Sequence, residues 1–257
     1  MAFRSLHRIF AAVMTKTEQR IKQRFQKALV QYGLIDDGDR ILVGLSGGKD
    51  SLCLLELLAR RSKIHRPSFK VEALHVRMDN IEYETDTSYL QSFCNQLDIP
   101  LHIVSTRFDE KSAPGKEKPA CFLCSWARRK QLFNMAQQLG CNKIALGHHQ
   151  DDIIHTALMN LCFEGQFATM PVKLKMEKMP LTIIRPLCLE QERDIIDLAT
   201  QKGYKKQLKR CPNERRTSRT EAAQLFQQME KINSEARFSI WNALEKAGKL
   251  TSEPPLD

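Results

Sequence analysis

A short apolar segment that runs directly into a glycine-rich turn limits what this chain can fold into more than any other feature. Residues 40–45, Arg-Ile-Leu-Val-Gly-Leu, are typical of a strand buried on both faces of a parallel sheet. The turn reads Ser46-Gly47-Gly48-Lys49-Asp50-Ser51, and residues 52–58 continue as a helix. Adjacent glycines let successive amide N–H groups converge on an anion at the helix start. The segment therefore predicts a strand, a phosphate-binding loop and a helix.

The rest of the chain repeats the alternation of strand and helix. Strand patterns occupy residues 71–76, 101–104, 143–146 and 181–184, and helix patterns occupy residues 86–97, 125–139, 151–163 and 190–201. This order predicts an α/β fold with a parallel sheet covered on both faces, whose ligands bind at the carboxyl ends of the strands. Residues 111–119 are interpreted as a mobile loop, and residues 165–180 show no clear period.

Charge and periodicity divide the chain into three predicted segments. Residues 1–35 form a basic leader with an amphipathic helix, which begins at the capping pattern Thr15-x-x-Glu18. Residues 36–204 form the α/β domain, and residues 205–257 form a basic helical extension. Residues 1–35 hold seven basic residues against one acidic residue, and residues 202–219 hold eight against one. Because the excess positive charge lies in these two stretches, we expect contact with a polyanion.

Composition excludes several classes of protein. No apolar run approaches the roughly 18–20 residues of a membrane span, so we expect no membrane partner. Eight cysteines in 257 residues are too sparse for a disulfide-stapled miniature fold. Without a convincing secretory signal, they indicate reduced thiols, metal ligands or redox groups in the cytoplasm.

The cysteines differ in their surroundings. Cys121-Phe-Leu-Cys124 precedes a predicted basic helix, and its spacing suits an iron–sulfur ligand pair, half a zinc site or a redox dithiol. Cys211 lies in the basic segment Lys209-Arg-Cys-Pro-Asn. Three cysteines in apolar segments, Cys53, Cys162 and Cys188, are interpreted as small core residues. Cys94 and Cys141 lie near helix ends and are ambiguous.

A second polar motif follows the strand pattern at 143–146. It reads Gly147-His148-His149-Gln150-Asp151-Asp152. Gly147 allows close approach of a nucleotide, and the histidines can donate hydrogen bonds to its phosphates. The two carboxylates fit N-terminal caps of the following helix, or metal binding and catalysis.

The glycine-rich turn resembles the SGGxDS signature of the PP-loop ATP-pyrophosphatase superfamily. It is not a Walker A loop, because Val43 and Asp50 stand where that motif requires Gly and Ser or Thr. The resemblance implies cleavage of ATP between its α and β phosphates. Gly47, Gly48 and Ser51 would cradle the released phosphates, with Ser46 and Lys49 as further donors. Asp50 would hold Mg²⁺, and Gly44 and the region from His75 to Arg77 would flank the adenine.

The order of the motifs resembles the TtcA family of tRNA 2-thiocytidine synthetases over roughly residues 18–245. Besides the motifs above, the order includes Met170-Pro-x-Lys-Leu and Ile184-Arg-Pro-Leu. The resemblance implies a four-iron, four-sulfur cluster on Cys121, Cys124 and Cys211. Arg128, or its neighbour Arg129, would stabilise charge at the adenylated base, and Asp151 or Asp152 would serve Mg²⁺ or catalysis.

The implied reaction is tRNA thiolation. ATP adenylates the C2 oxygen of a cytidine, or of a uridine, and sulfur delivered by the cluster replaces AMP. The sulfur donor is expected to be a cysteine desulfurase or inorganic sulfide, and a homodimer is expected. The family usually has a second Cys shortly after the third ligand, whereas this chain has Cys211-Pro-Asn-Glu-Arg-Arg. The alternatives are a PP-loop ligase that adds an amine, as lysidine synthetases do, and a non-catalytic RNA-binding protein with a cluster or zinc.

Overall fold

The computed structural model describes residues 14–80, 85–108, 120–205 and 218–251. Its strands are β1 Arg40–Gly44, β2 Lys70–Met78, β3 Leu101–Thr106, β4 Lys143–Ala145, β5 Lys173–Lys175 and β6 Thr182–Ile184. Its helices are α1 Lys16–Gln31, α2 Lys49–Ser62, α3 Thr87–Leu97, α4 Ala120–Gln138, α5 Gln150–Phe163, α6 Glu192–Lys202, α7 Ser218–Ile232 and α8 Ala236–Lys246.

The strands form one sheet in the order β3-β2-β1-β4-β6-β5. All neighbours are parallel except β5 and β6, which confirms the predicted doubly covered α/β fold. Val43 of β1 pairs with Ala73 on one side and Ala145 on the other. The turn after β1 therefore lies between the ends of two neighbouring parallel strands.

Three details differ from the sequence-based expectations. Residues 173–175, within the stretch without clear period, form the antiparallel edge strand β5. Helix α4 begins at Ala120, so Cys121 and Cys124 lie inside its first turns rather than ahead of it. The predicted helix at 190–201 begins at Glu192 and ends at Lys202. Residues 111–119, interpreted as a loop, and Cys211 lie outside the described residues.

The helix α1 is built and anchored as its sequence pattern predicts. The Thr15 hydroxyl accepts a hydrogen bond from the Glu18 amide at 3.2 Å, and Ile21, Phe25, Ala28 and Leu29 are buried. The Asp194 carboxylate of α6 accepts hydrogen bonds from Arg20 at 2.7 Å and from Arg24 at 2.6 Å. This basic helix is therefore fixed to the domain by both apolar packing and ion pairs.

One hydrophobic core cluster contains residues from all three predicted segments. It includes Phe25 of α1, Leu52 of α2 and Ile184 of β6, and also Phe226 of α7 and Trp241 of α8. The division of the chain into three segments stays a prediction, but their described parts share this core. No helix among the described residues combines the length and the apolar character that crossing a membrane requires.

Among the described residues, four cysteines lie in the core rather than the three expected. Cys53 and Cys188 are buried as predicted, and so are the two ambiguous residues, Cys94 and Cys141. Cys162 is exposed, so its assignment to the core was wrong. The buried face of α5 ends at Leu158, and the last turn of the helix extends beyond the core.

Candidate active site

Two serine hydroxyls hold the loop between β1 and α2 in its turn. Gly47 has φ +83°, in the left-handed region that glycine adopts at no steric cost. The Ser46 Oγ accepts from the Gly48 amide at 3.3 Å and lies 3.1 Å from the Ser51 Oγ, which donates to the Gly48 carbonyl at 2.9 Å. Gly48 is the N-cap of α2 and has no side chain to cap it. The first amides of α2 therefore remain available to an anion.

A cavity of about 310 Å³ opens beside this loop. It lies at the carboxyl ends of β1, β2 and β4, where an α/β sheet binds its ligands. Eight of the predicted site residues line it: Gly44, Ser46, Asp50, Ser51, Arg128, Gly147, His148 and Asp152. Leu74, Val76, Leu132 and Leu146 add apolar walls, which suit the flat face of a nucleobase.

Other predicted site residues do not line this cavity. Gly47 and Gly48 shape the loop instead. The Lys49 ammonium lies 2.9 Å from a Glu192 carboxylate oxygen and 3.2 Å from one of Asp50. The His75 ring is buried, with Nδ1 2.8 Å from the Leu45 carbonyl oxygen, and burial lowers its pKa. His75 therefore braces the end of β1 from within the core.

Gly147 lets two backbone segments of the site approach closely. A Cβ atom on Gly147 would lie 3.0 Å from the Asp50 carbonyl carbon and 3.0 Å from the Ser51 amide nitrogen. A side chain at this position would press on the first turn of α2. Gly147 thus sets the distance between the loop after β4 and the loop after β1.

The adjacent carboxylates Asp151 and Asp152 point to different places. Asp152 lines the cavity, accepts a hydrogen bond from the His149 amide at 3.1 Å and has one oxygen 3.5 Å from Arg219 Nη1. Asp151 accepts from the Glu192 amide at 2.8 Å and from Arg237 at 2.7 Å. Burial would raise the pKa of Asp151, but the bond and charge of Arg237 keep it below its ordinary value. Asp151 thus joins α5 to α6 and α8.

The His149 imidazole lies among the carboxylates of both motifs. Its Nε2 is 3.9 Å from Asp50 and 3.5 Å from Asp152, and its Nδ1 is 3.6 Å from Asp151. The Asp50 Oδ1 beside it is buried and has no hydrogen-bond partner. Such an oxygen suits Mg²⁺, which is bound through one or two carboxylates together with phosphate oxygens and water. The described residues contain no ready-made group of three metal-ligating side chains, so the remaining ligands would come from the nucleotide and from water.

Comparisons with known proteins show the family of this chain. The family model of the PP-loop domain matches residues 14–209. A tRNA-cytidine(32) 2-sulfurtransferase from Bordetella avium is 33% identical over 234 residues, which are 90% of this chain and 74% of that protein. The enzyme of the same name from Bdellovibrio bacteriovorus is 38% identical over 189 residues, 72% of this chain and 71% of that protein.

The chain belongs to the PP-loop family and, within it, to the TtcA family. The U34-tRNA thiolase NcsA from Methanococcus maripaludis, solved with its [4Fe-4S] cluster, has the same fold, with a TM-score of 0.69 and 24% identity over 90% of this chain and 78% of that one. The chain spans 61% of the length of the Shewanella pealeana relative and 63% of that from Cellvibrio japonicus.

The cysteine pair of this PP-loop chain lies on α4, one to two helical turns before the cavity residue Arg128. Cys121 is exposed, and Cys124 is partly buried against the small core of Met78, Phe108 and Ala127. Residues three and four apart lie on the same side of a helix, so Cys121, Cys124 and the cavity residue Arg128 follow one another along α4. Two thiols at this spacing suit a pair of cluster ligands.

The sequence reasoning missed two arginines of the site. The buried Arg185 donates from Nε to His148 Nδ1 at 3.3 Å and also donates to the Pro171 carbonyl. Burial and the charge of Arg185 lower the pKa of His148 to about 4, so this ring is neutral at pH 7. The Ile184-Arg-Pro-Leu motif contains Arg185 and could have identified it as a site residue. Arg219 lines the cavity, although its sequence context suggested only a basic surface.

Proposed function

We propose that this chain is an ATP-dependent tRNA sulfurtransferase that converts a cytidine of tRNA to 2-thiocytidine, at position 32 as the names of its relatives specify. The observation that carries the proposal is the path of α4. Arg128 lies in the cavity beside the PP-loop, and Cys121 and Cys124 lie on the same helix one to two turns earlier. A single helix thus connects the proposed ATP site with a pair of thiols.

The cavity supplies what adenylation of the C2 oxygen requires. The amides of the turn and the Ser46 and Ser51 hydroxyls bind the phosphates that leave as pyrophosphate. Asp50 and Asp152 would hold Mg²⁺, which when bound would supply positive charge to offset that building on the leaving group. Arg128 and Arg219 approach the cavity from α4 and α7 and balance negative charge near the α phosphate. The neutral His148 accepts from Arg185 at Nδ1, so its Nε2 can donate a hydrogen bond without adding charge.

The second half of the reaction replaces AMP by sulfur. Cys121, Cys124 and Cys211 are the proposed ligands of a [4Fe-4S] cluster, which, when bound, supplies an iron without a protein ligand that can carry sulfide. The sulfide comes from a cysteine desulfurase or from inorganic sulfide. The chain holds the activated base at the cavity rim, close to this pair. We infer that the enzyme works in the cytoplasm as a homodimer.

Product analysis tests this function. The full chain, with its cluster reconstituted under anaerobic conditions, is incubated with ATP, Mg²⁺, inorganic sulfide and unmodified tRNA. We expect AMP and pyrophosphate, with release that depends on tRNA. Formation of ADP and phosphate would refute the mechanism.

Two alternatives give distinct results in the same assay. A ligase that adds an amine would release AMP only when its amine is supplied, and it would need neither iron nor sulfide. A non-catalytic RNA-binding protein would release neither product. The Asp50→Ala variant should lose turnover while keeping its fold by circular dichroism, and retained turnover would contradict the metal role of Asp50.

A further inference from the structure

The outward face of α4 carries aromatic side chains beside the cavity. Phe122 and Trp126 are 49% and 54% exposed, one helical turn apart. A surface helix normally presents polar residues to solvent. Arg129 and Lys130 follow on the same face, since positions four, seven and eight apart lie close together on a helix. Phe122, Trp126, Arg129 and Lys130 are called the α4 face below.

The α4 face alternates rings with cations. The Lys130 ammonium lies 5.5 Å from the centre of the Trp126 ring, and both Arg129 and Lys130 are exposed. Protein–protein interfaces are depleted in lysine, whereas the Lys130 ammonium lies directly beside the Trp126 ring. Aromatic rings interleaved with positive charges are the combination that binds single-stranded nucleic acid, because bases stack on the rings and phosphates bind the cations.

The α4 face also borders the proposed active site. Arg128, its neighbour on the helix, lines the cavity. Arg129 is close enough to Arg185, the partner of His148, that its charge helps burial to lower the pKa of Arg185 to about 10. A base that enters the cavity must leave its stack, and the bases next to it lose a stacking partner. Aromatic side chains at the rim can replace that partner.

We infer that the α4 face is a stacking surface for unpaired tRNA bases that flank the target base, an inference that rests on the proposed function for the identity of the RNA. Trp126 stacks on one flanking base, and Phe122 offers a second ring one turn nearer the cysteine pair. Arg129 and Lys130 bind the neighbouring phosphates. Stacking carries little sequence information, so this surface contributes affinity and orientation, and the cavity selects the base.

Tryptophan fluorescence tests the contact directly. The chain has two tryptophans, and Trp241 is buried with 6% of its surface exposed. A short oligouridine added to the full chain without ATP should quench the emission of Trp126 by stacking. In Trp126→Phe, the remaining emission from Trp241 should not respond to the same RNA. Equal quenching in both proteins would overturn the inference.

Affinity measurements separate stacking from charge. Trp126→Ala should weaken binding of unmodified tRNA by a factor of roughly 10 to 100, by the same factor at low and high salt. Trp126→Phe should stay within a few-fold of the wild type, whereas Trp126→Leu should resemble Trp126→Ala. Lys130→Gln should cost more affinity at low salt than at high salt. Phe238→Ala is the matched control, because Phe238 on α8 is 66% exposed and lies outside the α4 face.

Three further outcomes contradict the inference. The first is unchanged tRNA affinity in Trp126→Ala, and the second is full tRNA affinity in Trp126→Leu. The third is a Trp126→Ala variant that keeps its RNA affinity but forms an assembly of different mass in solution. The last would make the face a contact between copies of this chain. If the chain thiolates tRNA but its affinity for tRNA does not depend on Trp126, only this inference is refuted. A chain that binds RNA through Trp126 but forms no thiolated base refutes only the proposed function.

Discussion

Replacing Gly147 by Ala tests how the two loops of the active site fit together. The new methyl group would lie 3.0 Å from two backbone atoms of α2, the Asp50 carbonyl carbon and the Ser51 amide nitrogen, and 3.1 Å from the Asp50 carbonyl oxygen. Gly147 does not have a positive φ, so the expected cost comes from this contact alone. Backbone atoms in a helix cannot rotate aside as the end of a side chain can.

The expected cost follows from that contact. Relief requires the first turn of α2 to move by a few tenths of an ångström, and overpacking of this kind costs about 1–3 kcal/mol of unfolding free energy. For a chain of this size, each kcal/mol shifts Tm by about 2–4 °C, so Gly147→Ala should lower Tm by roughly 2–12 °C. The same movement displaces Asp50 and Ser51 from the cavity wall, so ATP should bind more weakly.

The assay compares two glycines of the site. Urea titration followed by circular dichroism gives the free energy of unfolding for Gly147→Ala and for Gly48→Ala. Gly48 has φ −77°, and a Cβ there would meet only the Ser46 Oγ at 3.5 Å, an ordinary contact. We expect Gly48→Ala to unfold within about 0.5 kcal/mol of the wild type, as substitutions without a clash do. Equal stability of the two variants would refute the steric reasoning.

Three further predictions concern the metal groups, the carboxylates and pH. Measured iron content should fall in the variants of the proposed cluster ligands, Cys121→Ala, Cys124→Ala and Cys211→Ala. It should stay at the wild-type level in two controls, the exposed Cys162→Ala and the buried Cys53→Ala. Wild-type iron content in Cys211→Ala would show that Cys211 is not the third ligand. Asp152→Asn should lose turnover with little change in Tm, whereas Asp151→Asn should lower Tm, because it weakens the ion pair with Arg237; the reverse order would contradict their assigned roles. Burial raises the pKa of Glu190 to about 8, so its contribution to stability is present below the ordinary pKa near 4.5 and is lost as pH rises through 8. In urea titrations at a series of pH values, Glu190→Gln should reduce this fall in the free energy of unfolding. The same pH dependence in the variant and the wild type would refute the prediction.

The sequence predicted the features that local chemistry determines. A wholly apolar strand followed by adjacent glycines and serines is typical of a phosphate-binding turn, so the turn around Gly47 and Gly48 could be predicted from the sequence. The buried face of α1 followed from the spacing of its apolar residues. The cavity at the strand ends followed from the parallel alternation, which alone sets the edge where the loops meet.

Features that depend on tertiary packing could not be predicted in this way. Asp151 and Asp152 are neighbours in sequence, but one helical step of about 100° sends one to Arg237 and the other into the cavity. In the sequence, Arg219 is only one residue of a basic stretch. In the structure, the packing of α7 on α5 places it beside Asp152. Strand β5 has three residues and forms only because β6 offers an edge. Cys162 has apolar neighbours, yet its helix extends past the core.

Mass spectrometry of tRNA nucleosides tests the central claim most directly. Bulk tRNA is digested from cells with the gene, from cells without it, and from deleted cells that carry the Asp50→Ala variant. We predict that 2-thiocytidine is present in the first sample and absent from the other two, with other thiolated nucleosides unchanged. Undiminished 2-thiocytidine in cells that lack the gene would contradict the account.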